Sequence, residues 1–79
     1  MATRDDLMTW VHESLRQRGG SGTVVEVAKD IWQAHEMDLR QSGDLFYTWQ
    51  YDMRWAATKL RQTGRLAEAE GRKGLWRLR

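Results

Sequence analysis

Residues 55–78 read WAATKLRQTGRLAEAEGRKGLWRL, and the spacing of their apolar side chains changes partway along. As far as Thr63 the apolar residues recur at helical intervals, and Gly64 is then a suitable residue to end a helix. Beyond it, residues 65–69 and 75–78 have the pattern of two short strands. The glycine-rich residues between them fit the turn of a hairpin. This stretch therefore predicts a helix followed by a β-hairpin.

The helix of this stretch is predicted to span residues 48–63, approximately. Its buried face is predicted from apolar residues at positions i, i+4, i+7 and i+11, which are Trp49, Met53, Ala56 and Leu60. Residues 38–46 contain acids, a serine and a glycine with little periodicity. They are predicted to form a connecting loop.

Two further helices are predicted upstream. Residues 4–18 carry an apolar stripe, Thr3 can cap their start, and the run Gly-Gly-Ser-Gly at 19–22 ends them. Thr23 and Glu26 fit a capping box that begins a helix running from Val24 to residue 35 or 36. Paired valines also favour strands, so residues 22–24 are compatible with a very short extended piece. Four tryptophans are predicted to be core residues, namely Trp10, Trp32, Trp49 and Trp76.

The order helix, helix, helix, hairpin is that of a winged helix-turn-helix. Trp55 to Leu66, followed by Gly74-Leu75-Trp76-Arg77-Leu78, resembles the N-terminal winged-helix domain of Mrr-type restriction endonucleases. In that family a helix with Trp-Ala and a later Leu leads into a Gly, an apolar strand and a Gly-x-Trp-x-Leu closing strand. The resemblance covers residues 53–79 well and residues 1–45 only through helix order, a layout that winged helices share widely. The family's nuclease domain has no counterpart here, so the resemblance implies DNA binding without cleavage.

Charge is distributed unevenly along the chain. Residues 53–79 have eight Lys/Arg and two acids, a balance of +6, whereas residues 1–52 have five Lys/Arg and nine acids, a balance of −4. A basic segment on an acidic support is typical of nucleic-acid binders. A solvated charged face would explain the same asymmetry.

The predicted DNA contacts follow from a third helix lying in the major groove. Gln50 and Arg54 are one turn apart where such helices reach base edges, and Thr48 with the helix N-terminus suits a phosphate. Arg72 and Lys73, at the tip of a wing spanning residues 65–78, would reach the backbone or minor groove. The full predicted set is Thr48, Gln50, Tyr51, Arg54, Thr58, Lys59, Arg61, Arg65, Arg72 and Lys73.

Several of these residues have a second interpretation. Arg54 and Arg61 could be solvated or paired with an acid such as Asp52. Tyr51 and Trp55 could stack on nucleotides or pack, with packing favoured for Trp55. Asp52 would repel phosphate unless it pairs with an arginine, turns inward, or accepts a cytosine amino group.

An enzyme is not expected. His12 and His35 fall on different helices without metal-ligand spacing, and His35 is predicted to be a hydrogen-bonded core residue. There is no cysteine, and the glycine run at 19–22 lacks the Lys-Ser/Thr of a phosphate loop. Neither a leader nor an apolar run long enough for a bilayer is visible. We therefore expect a single soluble, cytoplasmic domain over residues 1–79, of the α+β, mainly α class, without cofactor or metal.

Two functions remain open. The first is a non-catalytic winged helix that binds double-stranded DNA as a monomer or weak homodimer, as a bacterial transcription regulator or accessory protein. The alternative is a winged-helix protein-interaction module without DNA binding. Its partner surface would use the acids of the first two-thirds of the chain, Glu13, Glu26, Asp30, Glu36 and Asp38.

Overall fold

The computed structural model describes residues 2–68 and 74–79. Within these residues, three helices and two strands follow the order α1 (Arg4–Gln17), β1 (Ser21–Thr23), α2 (Val24–Arg40), α3 (Leu45–Gln62) and β2 (Leu75–Arg77). Helices dominate and the strands form one small antiparallel sheet. The predicted fold class, α+β and mainly α, is confirmed.

The first two helices begin where their capping residues predict. The Thr3 amide donates to the Asp6 carboxylate at 2.9 Å at the start of α1. At the start of α2 the Thr23 amide donates to Glu26 Oε1 at 2.9 Å, and the Glu26 amide donates to Thr23 Oγ1 at 3.1 Å. These reciprocal bonds satisfy amides that have no partner inside the helix. The short extended piece before α2 is present as β1.

The end of α2 differs from the prediction. The helix was expected to stop at residue 35 or 36, but it continues to Arg40 across a kink at His35, whose φ and ψ are −130° and 20°. Leu39 is fully buried, so the extension gains apolar burial, and Arg40 pairs with Glu36 at 2.8 Å. The predicted loop over 38–46 therefore shortens to residues 41–44, and α3 begins at Leu45 rather than Thr48.

The core lies between the three helices, and α1 and α3 make the most extensive contact. All four residues of the predicted α3 buried face are buried, and Gly64 ends the helix with a φ of 80°. Trp49 and Trp76 are buried, while Trp10 and Trp32 are half-buried against the core. The buried apolar cluster consists of Leu7, Val11, Leu15, Val27, Ile31, Leu39, Trp49, Met53, Ala56, Ala57, Leu60, Leu66 and Trp76.

The closing strand β2 lies beside β1. Gly22 pairs with Trp76 at the centre of the register, and the Leu78 amide donates to the Gly20 carbonyl at 2.7 Å. A side chain at Gly22 would meet Arg18 Cδ at 3.0 Å, so the strand fits closely against α1. The predicted first arm of the hairpin adds an isolated bridge between Leu66 and Leu78 on the other side. In the described residues, the regular ladder of β2 is therefore with β1.

Candidate functional site

The face of α3 opposite the core carries five exposed side chains, which we call the α3 solvent face. Tyr47 and Tyr51 are 83% and 77% exposed. Gln50 and Arg54 are exposed one turn apart, as predicted from their spacing, and Thr58 continues the row toward the helix end. Two large aromatic rings this exposed, four residues apart on one helix, form a surface patch of the kind that marks interaction sites.

Asp52, the one acid within α3, is turned away from this face. Its side chain is buried, with 9% of the residue exposed, and it accepts a hydrogen bond from Thr48 Oγ1 at 2.8 Å. Of the alternatives open for Asp52, the structure therefore shows the inward orientation. The α3 solvent face consequently carries no carboxylate.

The cations near α3 lie in different surroundings. Arg54 and Arg65 are exposed and make no ion pair with any described carboxylate. Arg61 is half-buried, and its Nε lacks a hydrogen-bond partner among the described residues. Lys59 lies 5.8 Å from the ring centre of Trp55. Pairing of Arg54 or Arg61 with Asp52 is not observed.

Trp55 is a packing residue. It is half-buried against the core, and the guanidinium of Arg4 lies 4.0 Å from its ring centre. A cation at that distance occupies one face of the indole and holds α1 against α3. The packing interpretation of Trp55 is therefore confirmed, whereas the ring of Tyr51 remains open to solvent.

Thr48 has a different position from the predicted one. Because α3 begins at Leu45, Thr48 lies inside the first turn of the helix. Its hydroxyl donates a hydrogen bond to the Asp52 carboxylate. The exposed acid Asp44 occupies the N-cap position without a side-chain capping bond. A carboxylate there opposes binding of a phosphate at the helix N-terminus, so the geometric basis for that contact is lost. The predicted wing-tip residues Arg72 and Lys73 lie outside the described residues.

A groove of about 650 Å³ opens between α2 and α3. Its lining residues are Val24, Val25, Ala28, Lys29, Trp32, Gln33, Phe46, Trp49, Gln50, Met53 and Arg54. The sequence pattern does not predict this groove, because residues 38–46 have little periodicity and Phe46 falls within them. In the structure Phe46 belongs to α3 and its ring centre lies 6.4 Å from that of Trp32. Lys29 and Gln33 are four residues apart and therefore lie on one face of α2, which lines the groove.

A polar cluster that contains two acids lies where α1, β1 and α2 meet. Arg18 donates to both carboxylate oxygens of Asp30 at 2.7 and 2.9 Å, and it lies 3.3 Å from Glu26 Oε2. The buried Ser14 hydroxyl also donates to Asp30, at 2.6 Å. Hydrogen bonds from Arg18 lower the pKa of Asp30, and the Thr23 amide lowers the pKa of Glu26. We call Ser14, Arg18, Glu26 and Asp30 the α1–α2 corner.

His35 has a packing role. Its ring stacks on Trp10 with centres 3.8 Å apart and planes 6° from parallel. The predicted hydrogen bond is not observed among the described residues, and stacking takes its place. No group of three or more potential metal ligands occurs in the described part of the chain.

Comparisons with models of known protein families, with curated proteins and with solved structures found no match to this chain. Among the helices of residues 2–68 and 74–79, none has the length and apolar character needed to cross a membrane.

Proposed function

We propose that the chain is a non-catalytic DNA-binding winged helix in which α3 enters the major groove. Three helices, with a closing strand that pairs beside β1 and bridges to Leu66, are compatible with such a fold. The proposal extends to a transcription regulator or accessory protein of a bacterial cytoplasm, acting as a monomer or weak homodimer.

The observation that carries the proposal is the absence of a carboxylate from the α3 solvent face. Duplex DNA is a dense array of phosphates, so binding is favoured when the acids of a recognition surface are buried or accept hydrogen bonds from bases. Asp52 meets this condition because its side chain is buried and bonded to Thr48. The face that remains combines an amide, a guanidinium and two phenol hydroxyls, all of which can donate hydrogen bonds.

Gln50 and Arg54 are the proposed base-reading residues. Both are exposed, they lie one turn apart, and Arg54 has no ion pair to a described acid that would have to be broken on binding. Arginine can bind guanine and glutamine can bind adenine through two hydrogen bonds, worth roughly 1–3 kcal/mol of discrimination each. Tyr47, Tyr51 and Thr58 would donate to phosphates alongside.

The remaining cations are proposed to set the register of the protein on the duplex. Lys59, Arg61 and Arg65 follow Arg54 along the chain and would contact phosphates. Arg72 and Lys73 keep their proposed place at the tip of a wing over residues 65–78. Contacts of this kind depend on salt, because each neutralised phosphate releases counterions.

A salt series tests the proposal. Binding of a generic duplex is measured from low to moderate salt, with Arg16→Gln as the control because Arg16 is an exposed cation on α1. Neutralisation of about five phosphates predicts a log–log slope of about −4 to −5 in affinity, and Arg16→Gln should keep it. Chemical shifts of Gln50 and Arg54 should move during the titration. Absence of duplex binding at low salt would overturn the proposal.

The exposed tyrosines favour a second candidate function, that of a protein-interaction module. Tyr47 and Tyr51 are aromatic residues of the kind enriched at protein interfaces. The acids predicted to form a partner surface give this candidate less support. Glu26 and Asp30 are paired with Arg18, and Glu36 is paired with Arg40.

Two double variants separate these candidates. Replacing Arg54 and Arg72 by glutamine should greatly weaken duplex binding, whereas partner binding through the tyrosines should survive. Replacing Tyr47 and Tyr51 by alanine should abolish binding of a protein partner. Duplex binding that is unchanged in the Arg54/Arg72 variant would contradict the proposed DNA surface.

A further inference from the structure

We infer that the groove between α2 and α3 is a binding site for a small planar aromatic anion. Its volume of about 650 Å³ lies within the range of about 300–1,000 Å³ that is typical of ligand sites. This inference goes beyond the proposed function and does not rest on it. The two share Gln50 and Arg54, but the aromatic interior and the α2 side of the groove have no part in the proposed base reading.

The interior of the groove suits a flat apolar ring. Trp49 and Met53 are buried and form its floor, while Trp32 and Phe46 are half-buried and line its wall. The Trp32 and Trp49 rings are nearly parallel, with centres 6.0 Å apart and planes 11° from parallel. Aromatic walls gain energy from stacked or edge-on contact with another ring beyond the apolar area that is buried.

The rim of the groove determines the charge of the guest. Each helix supplies one cation and one amide, one turn apart, namely Lys29 and Gln33 from α2 and Gln50 and Arg54 from α3. None of the lining residues is an acid, and neither cation has an ion pair with a described carboxylate. An anionic group at the rim would therefore meet a cation and an amide donor from each helix.

These features together select one class of occupant. An aliphatic guest would leave the aromatic wall without its preferred partner, and a cationic guest would be repelled by the rim. A ring that bears a carboxylate, sulfonate or phosphate satisfies both the wall and the rim.

The test is a titration of the whole chain with naphthalene-2-carboxylate, followed by NMR of the indole N–H groups. Saturable shifts are expected for Trp32 and Trp49, with smaller ones for Trp10 and Trp76, which do not line the groove. Naphthalene-2-carboxamide has the same ring without the charge. It should bind about five- to tenfold more weakly, the effect expected for losing two solvent-exposed ion pairs.

Variants at the rim identify the cations. Lys29→Gln and Arg54→Gln remove exposed charges without touching the core, so both should fold, and each should weaken carboxylate binding about two- to fivefold. Arg16→Gln serves as the matched control and should bind like the parent chain.

Four results of the ligand titrations would overturn the inference. They are the absence of saturable shifts, equal affinity for the carboxamide, shifts centred away from Trp32 and Trp49, and binding that is unchanged when both rim cations are replaced. Shifts of the same signals on concentrating the protein alone would assign the groove to a second copy of the chain, and would also overturn it. The duplex titration is a separate measurement, so failure here is distinguishable from failure of DNA binding.

Discussion

Two surfaces of this molecule use arginine in opposite ways. At the α1–α2 corner, Arg18 binds Asp30 through two hydrogen bonds and lies close to Glu26, so its charge is neutralised within the fold. On the α3 solvent face, Arg54 is exposed and has no ion pair with a described acid. The acidic part of the chain therefore presents less free negative charge than its composition indicates, whereas the cation on α3 remains available to a partner.

Two aspartates sharpen the same contrast. Asp30 and Asp52 each accept a hydrogen bond from a nearby hydroxyl, Ser14 in one case and Thr48 in the other. Asp30 is also bound by Arg18, which lowers its pKa and links two helices. Asp52 has no arginine partner among the described residues, and its side chain is buried within α3's packed surface. Asp30 therefore links two helices, whereas the buried Asp52 leaves the α3 solvent face without a carboxylate.

The largest effect is expected when Arg54 is replaced by glutamate. The change removes the proposed guanine contact and places an acid on a face that has none, so duplex affinity should fall roughly 10- to 100-fold. Fluorescence anisotropy with a labelled duplex measures this. Arg16→Glu makes the same charge change on α1 and should have much less effect. Equal losses in the two variants would indicate only nonspecific attraction and would remove the distinction between the surfaces.

The next effect concerns the stability of the α1–α2 corner. Asp30→Asn weakens the charge-assisted bonds at Asp30 and leaves the buried Ser14 hydroxyl with a poorer acceptor, so the free energy of unfolding should drop by about 1–2 kcal/mol. Urea denaturation measures the change. Asp38→Asn, at an exposed acid outside the corner, is the control and should alter stability little. If both variants unfold at the same urea concentration as the parent, the corner contributes nothing to the fold.

The stability that Asp30 contributes at the α1–α2 corner should depend on pH. The pKa of Asp30 is lowered in the folded chain, so its stabilising contribution is complete above its unfolded pKa of about 4 and is lost as pH falls through the lower folded value. The difference in stability between the parent and Asp30→Asn should therefore be greatest at neutral pH and shrink below about pH 4. A difference that stays constant into acid would contradict this assignment. The pKa of Glu26 is also lowered in the folded chain, so the stability of Asp30→Asn should still fall somewhat as the pH is lowered.

Local patterns predicted the starts of α1 and α2, because their capping residues act within one turn. Thr3 with Asp6 and Thr23 with Glu26 are near neighbours in the chain. The start of α3 has no comparable marker, since Asp44 makes no side-chain capping bond. The extension of α2 to Arg40 depends on burial of Leu39, which is a property of the packed molecule rather than of the local sequence.

In the candidate site, too, local patterns predict some features and tertiary packing determines the others. Helical periodicity was sufficient to predict that Gln50 and Arg54 share an exposed face, and that Trp49 and Met53 lie in the core. The sequence leaves the orientation of Asp52 open, because it depends on tertiary packing. Two other features join residues that are far apart in the sequence, namely the groove between α2 and α3 and the ladder of β2 with β1. A local sequence pattern therefore cannot predict them.

The smallest effect on DNA binding should come from Asp52→Asn, although it removes a negative charge from the middle of α3. Because the Asp52 side chain is buried and accepts a hydrogen bond from Thr48, we expect no phosphate contact at this carboxylate, and duplex affinity should change by less than about twofold. Asp44→Asn removes the exposed acid that precedes α3, and should raise affinity more. The same anisotropy titration ranks the two variants. A large gain in Asp52→Asn would mean that Asp52 repels phosphate, and a large loss that it accepts a base amino group, so either result would contradict an acid-free α3 solvent face.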